Sequence, residues 1–301
     1  MNSKWLITST VAIFLALLFI IPGTYAEETT LPPTYLASAG DSISVGVNAE
    51  RFGDNTWASW VNGYHGFWQW LFGLTNVKSH NQRISWLYPY EDRRNYMFAE
   101  AGAKSEDLAD QVAAILATEP LPTYVTVFIG QNDICRDLGE EITPVSEFRG
   151  NVEAALNVLA EGLPDGSTIL VVGPVDVTRL YEVARDKKAL GIVDCEVLWF
   201  FSLFDLYPCW SVLGPGISKA EREAILATYI EPYNVGLSDL VNTLNDEYNH
   251  NFIYSNRAFN FEFLDIHVSD RDCFHPSAIG QKKLSKRLWK AVLPEFLGVL
   301  P

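Results

Sequence analysis

The sequence predicts a single α/β domain built on a parallel sheet. Short apolar runs alternate with helical patterns along its 301 residues. That alternation describes a parallel sheet covered by helices on both faces and joined by right-handed crossovers. No linker or composition shift divides the chain, although its length allows one large domain or two small ones. With 48% hydrophobic and 20% charged residues, it has the apolar content for a sizeable core.

Tyr35-Leu36-Ala37-Ser38 is the first strand, followed by Gly40-Asp41-Ser42. Gly, Asp and Ser are common turn residues, so by itself this is a strand-to-helix turn with Ser42 or Ser44 as helix cap. Asn48 to Trp86 is rich in Trp and Phe, and Gly66–Phe72 within it reads as a short amphipathic helix. Its rings either pack as core or form a rim for an apolar or sugar-like substrate. Arg94–Ala99 is the second strand, ending at Gly102. Ser105, with Glu106 and Asp107, suits the N-terminus of a helix carrying Leu108, Val112, Ile115 and Leu116. Tyr124–Ile129 is nearly continuous in apolar character, as a strand buried on both faces should be, and Gly130-Gln131-Asn132-Asp133 follows. Phe148–Leu163 is helical and Thr168–Val172 is the fourth strand. Cys195–Trp210 is an apolar stretch that is either tucked against the body or presented to an apolar partner. Ser218 and Glu221 form a capping box for a helix to about Ile230, where Pro232 interrupts, and a second helix runs to about Asn245. Asn251–Tyr254 is the fifth strand, and a last helix spans Ser277 to about Phe296.

At the N-terminus, Lys4, an uncharged run from Trp5 to Ile21, and a small residue at Ala26 have the form of a secretory signal peptide. Residues 1–26 are therefore expected to be a leader and 27–301 the mature domain, secreted or otherwise extracytoplasmic. An uncleaved anchor is the alternative, since the run falls just short of the roughly 20 residues a spanning helix needs. Cys135, Cys195, Cys209 and Cys273 form an even set in an exported chain. Two disulfides are expected, with three connectivities open. No Asn-x-Ser/Thr acceptor occurs. A formal net charge of −15 excludes a nucleic-acid partner, because no basic stripe exists to neutralise phosphates. It also excludes purely electrostatic attachment to anionic membranes.

Ser42, Gly102 and Asn132 fall at the ends of the first three strands, with Asp272 and His275 in the last loop. The carboxyl ends of parallel strands share one edge, so these residues can converge there. Their chemistry is complementary. A serine hydroxyl needs a base, which a histidine supplies. The histidine needs a carboxylate to fix its tautomer and stabilise its cation. The oxyanion that forms needs N–H donors.

The same residues lie in four ordered blocks: Gly40-Asp41-Ser42-Ile43-Ser44, Ala101-Gly102-Ala103, Gly130-Gln131-Asn132-Asp133 and Asp272-Cys273-Phe274-His275-Pro276-Ser277. Together they resemble the SGNH, or GDSL-type, esterases and lipases, and the cysteines beside two blocks resemble the phospholipase B-like branch. The likeness spans Tyr35 to the last helix. It implies a flavodoxin-like three-layer sandwich with a five-stranded parallel sheet. It also implies Ser42 as nucleophile, His275 as base, Asp272 as its partner, and Ser42, Gly102 and Asn132 as the oxyanion hole. Two positions depart from the family pattern: Ile43 stands where a leucine is usual, and Gln131 where a smaller residue is common.

The expected function is hydrolysis of carboxylic esters, of lipid or phospholipid acyl type, through an acyl-enzyme and with no cofactor. The expected partners are a small-molecule or lipid ester and, transiently, a membrane or micelle surface. Three alternatives are a carbohydrate O-acetyl esterase, a silent binding module, and a metal-dependent hydrolase. The last would use Asp265, His267, Asp270, Asp272 and His275 as ligands, which leaves Ser42, Gly102 and Asn132 unexplained.

Overall fold

The computed structural model describes residues 30–89, 92–200 and 209–299, so the leader expected over residues 1–26 lies outside the described residues. Five strands form one parallel sheet: β1 (Tyr35–Gly40), β2 (Arg94–Met97), β3 (Tyr124–Phe128), β4 (Thr168–Val172) and β5 (Asn251–Ser255). Their order across the sheet is β2-β1-β3-β4-β5. Every pairing is parallel, with Ser38 opposite Met97 and Gly40 opposite Phe128. The β-branched runs of β3 and β4 are buried along their whole length, as expected for central strands covered on both faces. All five expected strands are present, in one α/β domain.

Four long helices cover the sheet: α1 (Leu108–Leu116), α2 (Val145–Gly162), α3 (Glu231–Glu247) and α4 (Ala278–Leu297). α1 packs on α2 and α2 on α3. α4 buries Leu284, Leu288, Val292 and Phe296, and the Phe296 ring meets the Tyr124 ring of β3 edge-on at 5.0 Å.

Local expectations and structure differ at three helices. Pro232 does not break the helical run. Lys219–Ile225 continues through a π-helical stretch, Leu226–Ile230, directly into α3, which has Pro232 in its first turn. A proline ring clashes with the carbonyl four residues back and lacks an N–H, and a widened turn just before it absorbs both defects. Ser105 does not cap α1. It opens a 3₁₀ turn, and its hydroxyl donates to Asp133 instead. The helix at Phe67–Leu71 exists but buries no residue, so it is not amphipathic.

The end of β1 is built for close approach. Gly40 has φ +148°, and a Cβ there would lie 2.4 Å from the Phe128 carbonyl oxygen on β3. Neither the conformation nor the space admits a side chain. Gly40→Ala is therefore expected to destabilise the fold by roughly 2–4 kcal/mol through strain and backbone displacement, read as a lowered urea midpoint. A change below about 0.5 kcal/mol would contradict this account of the turn.

Candidate active site

Asp41, rather than Ser42 or Ser44, caps the short helix Ser42–Val45. Its Oδ1 accepts the Ile43 N–H at 2.9 Å. The Ser42 hydroxyl is thus released from capping at the carboxyl end of β1. Two buried glutamines hold the turn. Gln111 of α1 accepts from the Gly40 N–H (2.7 Å) and donates to the Gly40 carbonyl (2.9 Å). Gln281 of α4 donates to the Ile43 carbonyl (2.9 Å) and accepts from the Trp60 N–H (3.1 Å). Each amide pairs with one buried backbone donor and one buried backbone acceptor.

β2 and β3 flank β1, so their following loops lie on either side of Ser42. Gly102, exposed and at φ +84°, sits in the loop after β2. Asn132 sits on the short helix after β3, and its Nδ2 donates to the Ala103 carbonyl at 2.9 Å. Asp133 fastens the same loop, with its two carboxylate oxygens accepting from the Ser105 N–H (2.9 Å) and hydroxyl (2.6 Å). Burial raises the Asp133 carboxyl above its ordinary range, against the lowering effect of the Ser105 bonds. The N–H groups of Ser42 and Gly102 donate to no described residue.

Asp272 and His275 come from the loop between β5 and α4. Asp272 Oδ2 lies 2.6 Å from His275 Nδ1, while Oδ1 accepts the N–H groups of Phe274 (3.0 Å) and His275 (3.1 Å). A fourth bond comes from Asn48, whose Nδ2 donates to Asp272 Oδ2 at 2.6 Å. Burial pushes this carboxyl up, but His275 and these donors outweigh it and hold the group below its ordinary value. Asp272 is therefore a carboxylate at neutral pH.

The loop is fastened to the chain after Ser42. Ser269 donates to the Asn48 carbonyl (2.5 Å), Arg271 to that of Glu50 (3.2 Å), and the Ala278 N–H to that of Ala49 (2.7 Å). Of the three possible disulfide connectivities the structure has Cys135–Cys209 and Cys195–Cys273. One cysteine of each pair adjoins a motif block, and the other belongs to the Cys195–Cys209 segment. Trp199 and both cysteines of that segment are buried. Residues 201–208, which carry most of its remaining apolar side chains, lie outside the described set.

Ser42, Asn132 and His275 line one narrow cavity, partly open to solvent. Its walls are largely apolar, with Val175, Val177, Leu180, Phe263, Val268 and Phe274 among them. Arg179 also lines it and pairs with the buried Asp176 at 2.9 Å. Gly102 is not part of the lining but reaches the same strand edge through the Asn132–Ala103 bond. The residues of the metal alternative do not gather. Asp265 and Asp270 are exposed, and His267 Nδ1 accepts the Leu264 N–H at 3.0 Å. No group of three or more His, Cys, Asp or Glu side chains suited to a metal occurs among the described residues.

The family model for GDSL-like lipase/acylhydrolase matches residues 36–288. The chain belongs to this family. Among solved structures, this GDSL-like chain is similar to an acetylxylan esterase from Geobacillus stearothermophilus (14% identity, 86% of this chain and 94% of that one, TM-score 0.46). A lipase/acylhydrolase from Enterococcus faecalis aligns at 15% identity over 87% of this chain and 96% of that one, TM-score 0.45. A family 3 carbohydrate esterase from Clostridium thermocellum aligns at 15% identity over 89% and 99%, TM-score 0.44. A search of curated proteins finds no sequence match.

Two features of this GDSL-like site were not read from the sequence. One is Asn48, whose left-handed φ of +52° suits an Asn but carries no motif. Asn48→Ala removes one of four donors from Asp272. It is expected to lower kcat about 10-fold or more through misplacement of the dyad, with KM for a small soluble ester little changed. Unchanged kcat would show that the bond is not used.

The other is the state of Asp41. Desolvation pushes this fully buried carboxyl from 3.8 up to about 7, against the Ile43 bond and the facing His275, and with Asp133 adding to the rise. Its Oδ2 has no partner. Between about pH 4 and 7 the native state keeps a proton that the unfolded chain loses, so this group's contribution to stability falls as pH rises and levels off above 7. A shift of that size corresponds to roughly 4 kcal/mol. Asp41→Asn keeps the capping oxygen without the charge. Relative to the wild type, the variant is expected to gain stability between pH 4.5 and pH 8, measured as the difference in urea midpoints. A pH-independent difference would refute the buried proton.

Proposed function

We propose that the chain is an exported serine hydrolase of carboxylic esters with Ser42 as nucleophile. The observation that carries this reading is the Asp272–His275 pair, bonded at 2.6 Å, with His275 on the wall of the cavity that Ser42 also lines. With Nδ1–H held on Asp272, His275 Nε2 takes the Ser42 proton as Oγ attacks the ester carbonyl. The oxyanion is met by the N–H groups of Ser42 and Gly102 and by the Asn132 amide, whose second N–H is not used by Ala103. His275 returns the proton to the leaving alcohol. It then deprotonates a water that attacks the acyl-enzyme, releasing the acid and restoring Ser42. No cofactor or metal enters these steps.

The apolar cavity walls support an acyl chain as the group bound beside Ser42, and hence lipid or phospholipid esters as the substrate class. Cysteines adjoining the Asn132 and His275 blocks support the phospholipase B-like branch. The two disulfides fit an oxidising compartment and a cleaved leader over residues 1–26. No described helix is long and apolar enough to cross a membrane.

A fluorophosphonate is expected to label the protein at Ser42, with labelling abolished in Ser42→Ala and hydrolysis reduced at least 10³-fold. Asn132→Ala is expected to cost about 10²–10³ in kcat. Turnover of p-nitrophenyl palmitate and phosphatidylcholine should exceed that of p-nitrophenyl acetate and acetylated xylan. The reverse order would assign the site to carbohydrate O-acetyl esters, and a folded protein that takes no label would sink the mechanism.

A further inference from the structure

The helix Phe67–Leu71 is apolar on every face and buries none of it. Phe67, Trp68, Trp70, Leu71 and Phe72 are each between 52% and 67% exposed. In a soluble protein, contiguous exposed apolar surface of this kind marks an interaction site. Its one polar side chain folds back on the helix N-terminus, where Gln69 Oε1 accepts the Gly66 N–H at 3.1 Å. The stem also satisfies its own backbone. His65 Nε2 lies 2.8 Å from the Leu74 carbonyl, and the Leu74 N–H donates to the Gln69 carbonyl at 2.9 Å. The tip can therefore leave water with few backbone groups unpaired, as a lipid environment demands.

Charge narrows the occupant. No Asp, Glu, Lys or Arg occurs between Asp54 and Lys78, in a chain that is 20% charged. Such a tip carries nothing that would hold it on a charged surface, and the net charge of −15 repels an anionic one. Ring geometry argues against a sugar platform, which needs rings laid out in one plane. Here Phe67 meets Trp68 edge-on at 71° and is tilted 36° to Trp70, so the rings do not share one plane. Trp and Phe on a short uncharged projection are the side chains that settle at the boundary of lipid headgroups and acyl chains.

The projection is tied to the rim of the candidate active site. The Glu50 carboxylate accepts from the Thr75 N–H and hydroxyl, both at 2.9 Å, while the Glu50 carbonyl accepts from Arg271, the neighbour of Asp272. Phe52, also exposed, lies with the Arg271 guanidinium 5.8 Å from its ring centre.

We propose that Phe67–Phe72 is a docking tip that inserts into a zwitterionic lipid interface. The inference does not rest on the proposed catalysis, because partition can be measured without turnover. Wild-type protein and Ser42→Ala are expected to co-sediment with phosphatidylcholine vesicles. Brominated phosphatidylcholine should quench part of their tryptophan emission. Raising salt from 0.1 to 0.5 M should leave the bound fraction unchanged, and adding phosphatidylserine should lower it. The triple variant Trp68→Ser, Trp70→Ser, Phe72→Ser, altered only at exposed side chains, should lose binding at least tenfold and keep wild-type turnover of a soluble short-chain ester. Failure of the wild type to bind vesicles, or full binding by the variant, would overturn the proposal. So would binding to insoluble xylan, or self-association in place of vesicle binding, that the three substitutions abolish. Loss of soluble-ester turnover in Ser42→Ala reports separately on the catalytic reading.

Discussion

Asp272 Oδ2 lies 2.6 Å from His275 Nδ1 and 2.6 Å from Asn48 Nδ2, and that shared oxygen joins two parts of the chain that the sheet keeps apart. Ser42 follows β1, whereas the Asp272–His275 loop follows β5, three strands away. A parallel sheet delivers both to the same edge but not to the same point. The distance is closed by the loop running back over the edge and being fastened to residues 48–50 through Asn48, Ser269, Arg271 and Ala278. Each tie is modest alone, since a net hydrogen bond contributes about 1 kcal/mol. Several ties on one short segment, with a disulfide at Cys273, hold a loop that has little regular structure of its own.

The opposite side of the site is held differently. There Gly102 and Asn132 follow the strands on either side of β1, and the Asn132 and Asp133 side chains strap the Gly102 loop to the β3 turn. The proposed oxyanion donors and the proposed acid–base pair thus stand on independent supports, with the glutamine-clamped Ser42 turn between them. Preorganised donors are effective because they need not reorient as charge develops, and buried clamps on both carbonyl and N–H are what keep backbone donors still. Burial of Asp41 is a consequence of the same packing. The residue that frees the Ser42 hydroxyl by capping the helix does so from a fully enclosed position, where ionisation is costly.

The strands and the motif blocks were legible in the sequence because each depends on local chemistry. Continuous β-branched runs mark β3 and β4, and blocks placed after strands in a parallel sheet must share an edge. What could not be read depends on pairs distant in the chain. Asn48 meets Asp272 across 224 positions, and Gln281 reaches Ile43 across 238. An isolated Asn in a loop, or a Gln within a helix, looks like an ordinary polar residue. Disulfide pairing had the same character, since four cysteines allow three connectivities and only the fold selects one. The helix caps failed for a subtler reason. Ser105 and Ser42 are good capping types, but a buried Asp133 claims the first hydroxyl and Asp41 takes the capping role of the second.

The selected pairing has a consequence for substrate choice. Both disulfides run from a motif block to the Cys195–Cys209 segment, so that segment is bound covalently at one end to the Asn132 turn and at the other to the His275 loop. Its first turn is also seated on the body, with Trp199 buried and the Tyr181 hydroxyl donating to Glu196 at 2.9 Å. The apolar cavity wall formed by Val175, Val177 and Leu180 lies in the chain just before it. In the proposed reading, chemistry is vested in the strand ends and the His275 loop, while the apolar walls beside Ser42 come from residues 175–180 and from Phe263, Val268 and Phe274. In the same way, residues 64–75 form an uncharged projection that hangs from Glu50 yet contributes no side chain to the cavity. The division explains how one set of blocks, legible from four short motifs, serves a substrate that those motifs do not specify.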